Sequence, residues 1–176
     1  KEIRVSSPGI HGTLDLALFP SSVTKIEFFS NKFTGELALE DLPPDADEVC
    51  VSTSDLHGSI NLTQLPKPLK QLFLNGNKFS GSACLTRLPP NLQILSLASN
   101  AFTGSVDLTQ LPETMTRLFL NKNEFSGFAD FGKLSGFTYL NVSETSLSGE
   151  IRNFRGQYLG IKKSGVRHIR DAPKTE

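Results

Sequence analysis

Apolar residues recur along this chain in short alternating groups rather than at helical spacing. In the segment Leu72-Phe73-Leu74 the two leucines point to one side and Phe73 to the other, which is the pattern of a short strand with one buried face. Equivalent segments predict eight strand positions, at residues 3–5, 26–28, 49–51, 72–74, 95–97, 118–120, 140–142 and 159–161. Stacked side by side, these strands are expected to form a parallel sheet that extends roughly 35 Å along the stack.

Glycines mark the period of this pattern. Six of them lie 23 residues apart and a seventh follows after 22, namely Gly12, Gly35, Gly58, Gly81, Gly104, Gly127 and Gly149. An interval kept this strictly indicates one structural unit copied along the chain. The function of each residue is therefore interpreted from its position within the unit.

Two positions that follow each strand carry residues with a structural role. The first holds an amide that can bond the turning backbone, in Asn31, Asn77, Asn100 and Asn123. The second holds an apolar side chain that is expected to stack on its counterparts, in Ile10, Phe33, Leu56, Phe79, Phe102, Phe125, Leu147 and Val166. This apolar spine accounts for the 13 phenylalanines without a cofactor pocket.

The complete unit follows the phrase L-x-x-L-x-L-x-x-N-x-F-x-G, carried for example by Leu69, Leu72, Leu74, Asn77, Phe79 and Gly81. With several copies in register, the chain is identified as a member of the leucine-rich repeat family, and it resembles the plant-like and protist (kinetoplastid-type) repeats. The resemblance implies a repeat solenoid, an α/β-class horseshoe with a parallel concave β-sheet of about eight short strands. Residues 1–169 are expected to form this single solenoid of about seven repeats with partial terminal units, followed by a polar tail at 170–176.

The second half of each unit is expected to form the convex side. Between Gly104 and Pro112 the apolar residues Val106 and Leu108 alternate, and the proline ends the stretch. Residues that favour a helix at helical spacing are missing. We therefore expect extended chain or short 3₁₀ turns there, including a second row of strands, rather than α-helix.

The charge and the hydrophobicity of the chain argue against two classes of partner. The chain has 18 basic and 18 acidic residues, so it lacks the basic excess of a nucleic-acid-binding protein. No apolar run approaches the ~20 residues of a membrane-spanning helix. Neither a nucleic acid nor a membrane span is therefore expected among its partners.

Cysteines and glycosylation sequons give opposite indications of compartment. Cys50 and Cys84 fall on different halves of the coil and cannot meet, so two free thiols are predicted, which favours an intracellular location. The sequons that begin at Asn61 and Asn141 favour a secreted one, unless they arise by chance from the repeat. The compartment is left unassigned.

No catalytic or metal-binding constellation emerges from the repeat positions. His11 and His57 both precede repeat glycines and lie two units apart, roughly 10 Å along the stack. Zinc–nitrogen bonds are about 2.0–2.1 Å long, so one ion is not expected to bridge them. No nucleophile, base and orienting acid can be assembled either, and we expect no enzymatic activity and no cofactor.

Side chains at the outward strand positions do not pack in the core, so their identity is expected to reflect function. In the middle of the chain they hold aromatic, aliphatic and basic residues of the type that dominates protein interfaces. The predicted partner-binding residues are Phe29, Gln71, Phe73, Asn75, Ile94, Arg117, Phe119, Asn121 and Tyr139. The alternative is that the outward phenylalanines only support neighbouring strands through cross-strand packing.

These observations, with the family resemblance, favour a non-enzymatic protein-binding module that recognises a protein or peptide on its concave sheet. Two alternatives remain open. The chain could be a structural subunit of a larger assembly, in which its end strands are covered by neighbours. It could also be the recognition arm of an effector whose catalytic domain is absent from this sequence.

Overall fold

A computed structural model describes residues 1–5 and 9–170 and shows a solenoid built from two parallel β-sheets of eight strands each. Each turn of the solenoid contributes one strand to each sheet. The predicted repeat solenoid is confirmed, and α-helix is absent from the described part of the chain. Residues 171–176, which include nearly all of the predicted polar tail, lie outside the described residues.

The first sheet follows the order of the repeats. Its strands are β1 (Glu2–Val5), β3 (Lys25–Phe29), β5 (Glu48–Ser52), β7 (Gln71–Phe73), β9 (Ile94–Ser96), β11 (Arg117–Phe119), β13 (Tyr139–Asn141) and β15 (Tyr158–Gly160). Equivalent positions of successive units pair directly, as Leu72 does with Leu95 and Leu95 with Leu118. All eight predicted strand positions are confirmed to within one residue at each end.

The second sheet lies on the other side of the coil. Its strands are β2 (His11–Thr13), β4 (Lys32–Gly35), β6 (Asp55–Gly58), β8 (Lys78–Gly81), β10 (Ala101–Gly104), β12 (Glu124–Phe128), β14 (Ser146–Arg152) and β16 (Gly165–Ile169). Most of these strands lead up to the repeat glycine, whereas the sequence placed the second row in the segment after it. The glycine itself explains the difference, because its positive φ, +78° at Gly81, turns the chain and ends the strand.

The segment after each glycine is extended chain and turns. It contains two single-turn 3₁₀ helices, Leu16–Leu18 and Leu39–Asp41, as the absence of helix-forming patterns predicts. The Asp15 side chain caps the first of these by accepting a hydrogen bond from the Ala17 amide at 3.0 Å. No helix in the described ranges is long and apolar enough to cross a membrane.

Alternate side chains of the first sheet point inward and form the core. Leu72, Leu95 and Leu118 are completely buried, together with the leucines two positions further along each strand segment. In the predicted apolar spine the Phe102 ring lies 6.3 Å from that of Phe79 and 5.8 Å from that of Phe125, with the rings nearly parallel. The spine is confirmed except at Ile10, which remains exposed because only one neighbouring unit covers it.

Buried and half-buried asparagines tie consecutive turns together, as predicted. The Asn100 amide nitrogen donates to the carbonyl oxygens of Leu97 in its own unit and Leu74 in the preceding unit, both at 3.0 Å. Its side-chain oxygen accepts a hydrogen bond from the backbone amide of Phe79 at 3.1 Å. One side chain thus satisfies three backbone groups that the turn would otherwise leave unpaired.

Candidate partner-binding face

The outward residues of the first sheet form straight rows because its strands pair without stagger. One row runs through Gln71, Ile94, Arg117, Tyr139 and Tyr158, which are paired in that order. A second row, one side-chain step along the strands, passes through Phe73, Ser96, Phe119, Asn141 and Gly160. The predicted site residues of β7 to β13 therefore lie on one continuous face.

Three aromatic rings make consecutive contacts on this face. The rings of Phe119 and Tyr139 have centroids 6.5 Å apart, and those of Tyr139 and Tyr158 are stacked at 6.1 Å. The Arg117 guanidinium lies over the Tyr139 ring, 5.4 Å from its centroid, in a cation–π contact. We call Phe119, Tyr139 and Tyr158 the aromatic ladder.

Tyr158 is the member that the predicted site lacks. It is 45% exposed, more than any of the other ladder residues. Its unit is shortened, so it stands 19 residues after Tyr139 instead of 23, and the repeat interval does not align the two. The predicted strand positions 140–142 and 159–161 nevertheless place the two tyrosines side by side, and the sheet pairs Tyr139 with Tyr158.

Other predicted residues are less exposed or more distant than expected. Phe73, Ile94 and Phe119 are half-buried rather than fully exposed. Ser96 lies between Phe73 and Phe119 in the row, so the two rings occupy strands that are not adjacent. Phe29 lies on β3, four strands from β11, which places it roughly 19 Å away from the ladder.

Amide side chains flank the aromatic ladder. Asn75 accepts a hydrogen bond from the Ser52 hydroxyl at 3.1 Å, and Asn121 lies half-buried two units further along. The sequon residue Asn141 lies on the same face, where its side-chain oxygen accepts hydrogen bonds from the Ser143 amide and hydroxyl at 3.1 and 2.7 Å. A glycan on Asn141 would therefore cover the predicted site, whereas the second sequon, at Asn61, lies after the repeat glycine, away from this sheet.

The amino-terminal part of the same face is charged. Arg4 pairs with Glu27 at 2.8 Å, and Lys25 pairs with Glu27 at 3.0 Å. Lys25 also pairs with Glu48 at 2.9 Å, and Arg4 with Glu2 at 3.0 Å. Hydrogen bonds from Lys25 to Glu48 and Glu27 raise its pKa. In this half of the face, charged side chains on neighbouring strands therefore neutralise one another.

The two thiols differ in environment and are both free. Burial raises the pKa of Cys50, whose Sγ lies 3.4 Å from the Ser52 hydroxyl on the first sheet. Cys84 is exposed, and hydrogen bonds from Thr86 stabilise its thiolate and lower its pKa. Across residues 1–5 and 9–170, no three His, Cys, Asp or Glu side chains are grouped so that they could hold a metal ion.

The outer face of the second sheet has a different character. Around the repeat glycines of its middle strands lie small exposed hydroxyl residues: Ser59, Ser80, Ser82, Thr103, Ser105 and Ser126. Beyond them Phe128 is 72% exposed, the largest exposure of any described aromatic residue. The two faces of the solenoid therefore offer an aromatic and basic surface on one side and a hydroxyl surface on the other.

Comparison with known proteins finds similarity among solved structures only. No protein-family model matches the sequence, and no curated protein matches it either. Among solved structures, a TDR receptor superposes with a TM-score of 0.66 at 21% identity, covering 89% of this chain and 29% of that chain. The plant peptide hormone receptor RGFR1 in complex with RGF2 gives 0.61 at 20% identity, covering 92% of this chain and 32% of that chain.

A plant ice-binding protein is also similar, with a TM-score of 0.63 at 16% identity over 89% of this chain and 62% of that chain. The chain therefore spans less than two thirds of the length of each of these three proteins. At 16–21% identity the similarity is one of fold. Together with the repeats, it shows a solenoid of the plant leucine-rich repeat type.

Proposed function

We propose that this leucine-rich repeat protein is a non-enzymatic module that binds a protein or peptide on the outer face of its first sheet, the concave face of the horseshoe. The observation that carries the proposal is the aromatic ladder with Arg117 above it. Aromatic residues and arginine are the side chains that contribute most to binding free energy at protein interfaces.

The solved structures support the general form of this proposal. RGFR1 is a peptide hormone receptor in complex with RGF2, and the receptor kinase HAESA, with a TM-score of 0.57 at 24% identity, is in complex with the peptide hormone IDA and a co-receptor. Peptide binding is a property of those proteins, and those proteins share the fold of this chain. The position of the partner on this chain is argued from its own residues.

The half-burial of the outward phenylalanines agrees in part with the alternative that these residues support neighbouring strands. Phe119 contacts Tyr139 across strands, so part of its surface stabilises the sheet. The exposed side chains of Tyr158 and Arg117 lie at the outer surface of the cluster. The proposed binding face therefore consists of the aromatic ladder and Arg117.

A paired set of variants tests the proposed site. We expect Arg117→Ala with Phe119→Ala to abolish capture of a specific partner while the melting temperature changes by only a few degrees. The matched control, Thr103→Ala with Ser126→Ala, alters the second sheet and should retain the partner. Quantitative mass spectrometry of affinity-captured proteins measures the first result, and circular dichroism the second. Loss of folding in the first variant, or equal loss of partner in both, would contradict the assignment.

The second sheet supports a different candidate function, the binding of ice. Ser80, Thr103 and Ser126 lie on the neighbouring parallel strands β8, β10 and β12, which are spaced about 4.8 Å apart, and Ser59, Ser82 and Ser105 each follow a repeat glycine, so the hydroxyls recur with every turn and form an array. Serine and threonine hydroxyls both donate and accept hydrogen bonds, as an ordered water layer requires. The structural similarity to a plant ice-binding protein adds support, because that protein shares this solenoid.

Ice binding is tested by placing charge in the hydroxyl array. Thr103→Lys with Ser126→Lys should abolish thermal hysteresis and inhibition of ice recrystallisation, because lysine disrupts the ordered water at the centre of the array. Asn75→Lys with Asn121→Lys places the same charges on the first sheet and should preserve both activities. A wild-type chain without measurable thermal hysteresis or recrystallisation inhibition rejects this candidate and leaves the partner-binding proposal unaffected.

A further inference from the structure

We infer that the partner segment on the first sheet is acidic, with carboxylates on both sides of an apolar centre. This inference rests on the proposed function, and it names the chemistry of the partner. It depends on how charge is divided between the two halves of the face rather than on the net charge of the chain, which is zero.

In the amino-terminal half, charges of both signs are already paired. Glu2, Glu27 and Glu48 contact Arg4 and Lys25 at 2.8–3.0 Å. Beside them Asp47 pairs with Lys70 at 3.5 Å. A charged partner placed here would have to replace these existing ion pairs with new ones, so it would gain little net electrostatic free energy.

The carboxy-terminal half, from β9 to β15, has a surplus of positive charge. The outward strand residues and the turns that follow them carry four basic side chains, Arg117, Lys122, Lys162 and Lys163, and one acidic side chain, Glu144. Glu144 pairs with Lys163 at 3.5 Å. Four positive charges minus one negative charge leave an excess of three around the aromatic ladder.

The basic residues lie on both sides of the ladder. Arg117 begins β11, whereas Lys122 lies five residues later in the turn that follows this strand, at most roughly 16 Å away. Lys162 follows β15 at the same level as Asn121, since Tyr158 pairs with Tyr139 and Tyr139 with Arg117. Tyr139 and Tyr158 lie at the level of Arg117, and Phe119 lies between the two levels, so an apolar side chain placed over Phe119 would have a cation on either side.

Arg117 is well suited to the first of these positions. Its contact with Tyr139 involves the face of the aromatic ring, and a guanidinium has five N–H donors arranged in a fork that matches a carboxylate. The ring also restricts the arginine, which reduces the entropy lost when a carboxylate binds. Lys122 and Lys162, both exposed, supply point charges on the other side.

The inference is tested with a displayed library of random twelve-residue peptides selected on the folded chain. We expect the selected peptides to be enriched in Asp and Glu flanking an apolar or aromatic residue. Replacing the acidic residues of a selected synthetic peptide by Asn and Gln should weaken binding at least about tenfold, as should Arg117→Gln with Lys162→Gln in the protein. Lys32→Gln with Lys78→Gln removes the same charge from the second sheet and should leave the affinity unchanged.

Two further variants separate this inference from the proposed function. Phe119→Ala and the more exposed Tyr158→Ala remove parts of the ladder, and circular dichroism checks that each variant is folded. Peptides that lose binding to these variants but show no acidic enrichment overturn the acidic partner and retain the binding face. A selection that yields no peptide sensitive to either ladder variant overturns both.

Discussion

A single buried amide holds two successive turns together at Asn123. Its nitrogen donates to the carbonyl oxygens of Leu97 and Leu120 at 2.9 and 3.0 Å, and its oxygen accepts from the Phe102 amide at 3.0 Å. We expect Asn123→Ala to lower the free energy of unfolding by about 3 kcal/mol, because it leaves buried backbone groups without partners. Urea denaturation followed by circular dichroism measures the loss.

Asn121 supplies the matched control for this substitution. It is two residues away, half-buried on the outer face of the first sheet, and its side chain is not part of the buried amide series. Asn121→Ala should change the free energy of unfolding by less than about 0.5 kcal/mol. Equal losses for the two substitutions would show that the buried hydrogen bonds are not the cause.

The two cysteines are expected to react at different rates. The hydrogen bonds from Thr86 lower the pKa of Cys84, whereas burial raises the pKa of Cys50. At pH 7.5 a larger fraction of Cys84 is thiolate, so iodoacetamide should modify it at least about tenfold faster. Peptide mapping by mass spectrometry measures both rates in one sample.

Thr86 and pH provide the checks on that difference. Thr86→Val should slow the alkylation of Cys84, because the variant loses the hydroxyl that stabilises the thiolate, and should leave Cys50 unaffected. As pH rises, alkylation of Cys84 should increase first and that of Cys50 only at higher pH. A Cys50 that reacts as fast as Cys84 at pH 7.5 would contradict the assigned environments.

At the scale of the element, a repeat glycine is the last residue of four strands of the second sheet, β4, β6, β8 and β10, whereas β14 continues past Gly149. Gly81 has a φ of +78°, and a Cβ there would come no closer than 3.6 Å to Ser59, so Gly81→Ala should cost only about 1–2 kcal/mol of conformational strain. At Gly149, with a φ of +143°, a Cβ would overlap the Ala129 carbonyl oxygen and reach 3.0 Å from the Phe131 ring. Gly149→Ala should therefore cost at least about 3 kcal/mol.

Thermal and urea unfolding of the two alanine variants, measured side by side, test this ranking. Gly81→Asn is a useful third variant, because asparagine tolerates positive φ and should recover part of the stability lost in Gly81→Ala. A Gly149→Ala variant as stable as Gly81→Ala would mean that the backbone near Ala129 adjusts freely.

Sequence periodicity specified the first sheet well and the second sheet poorly. In the first sheet, Leu72 and Leu74 alternate with Phe73, and one register shift would expose the buried residues, so the pattern determines the strand. In the second sheet the pairing is staggered, with Gly104 beside Phe125 instead of Gly127, a relation that no repeat interval reveals. The alternating residues Val106 and Leu108 are buried, but they lie in extended chain that is not part of either sheet, so their alternation did not indicate a strand.

The strand positions of the binding face were predictable from the sequence, but the contacts and the exposure of its side chains were predictable only in part. Phe119 and Tyr139 are adjacent because their units are nearly full length, and their ring contact follows from the register. Tyr158 lies in a shortened unit whose strand position, 159–161, was also predicted, but its ring contact with Tyr139 became apparent only in the structure. Half-burial of Phe73 was likewise hidden, since an outward position does not show how much neighbouring side chains cover it.

Across the whole molecule, each unit packs only against the units beside it. The strands of both sheets pair in repeat order, and the Phe79, Phe102 and Phe125 rings stack in that order as well. A solenoid of this kind is stabilised by its units and by the interfaces between neighbours, so a defect in one unit should have a local effect. Terminal units have a single interface. This agrees with the partial exposure of Ile3 and Leu159, whereas Leu95, at the equivalent position of a central unit, is fully buried.

Hydrogen exchange of Phe102→Ala tests this nearest-neighbour behaviour. The substitution removes a fully buried ring between two others, and a loss of about 3–5 kcal/mol is expected. Protection of backbone amides should fall most in β8, β10 and β12, and much less in β3 and β15, because coupling passes only between adjacent units. Phe102→Leu, which keeps most of the buried volume, should recover much of the protection. Uniform loss along all sixteen strands would instead show that the solenoid unfolds as one cooperative unit.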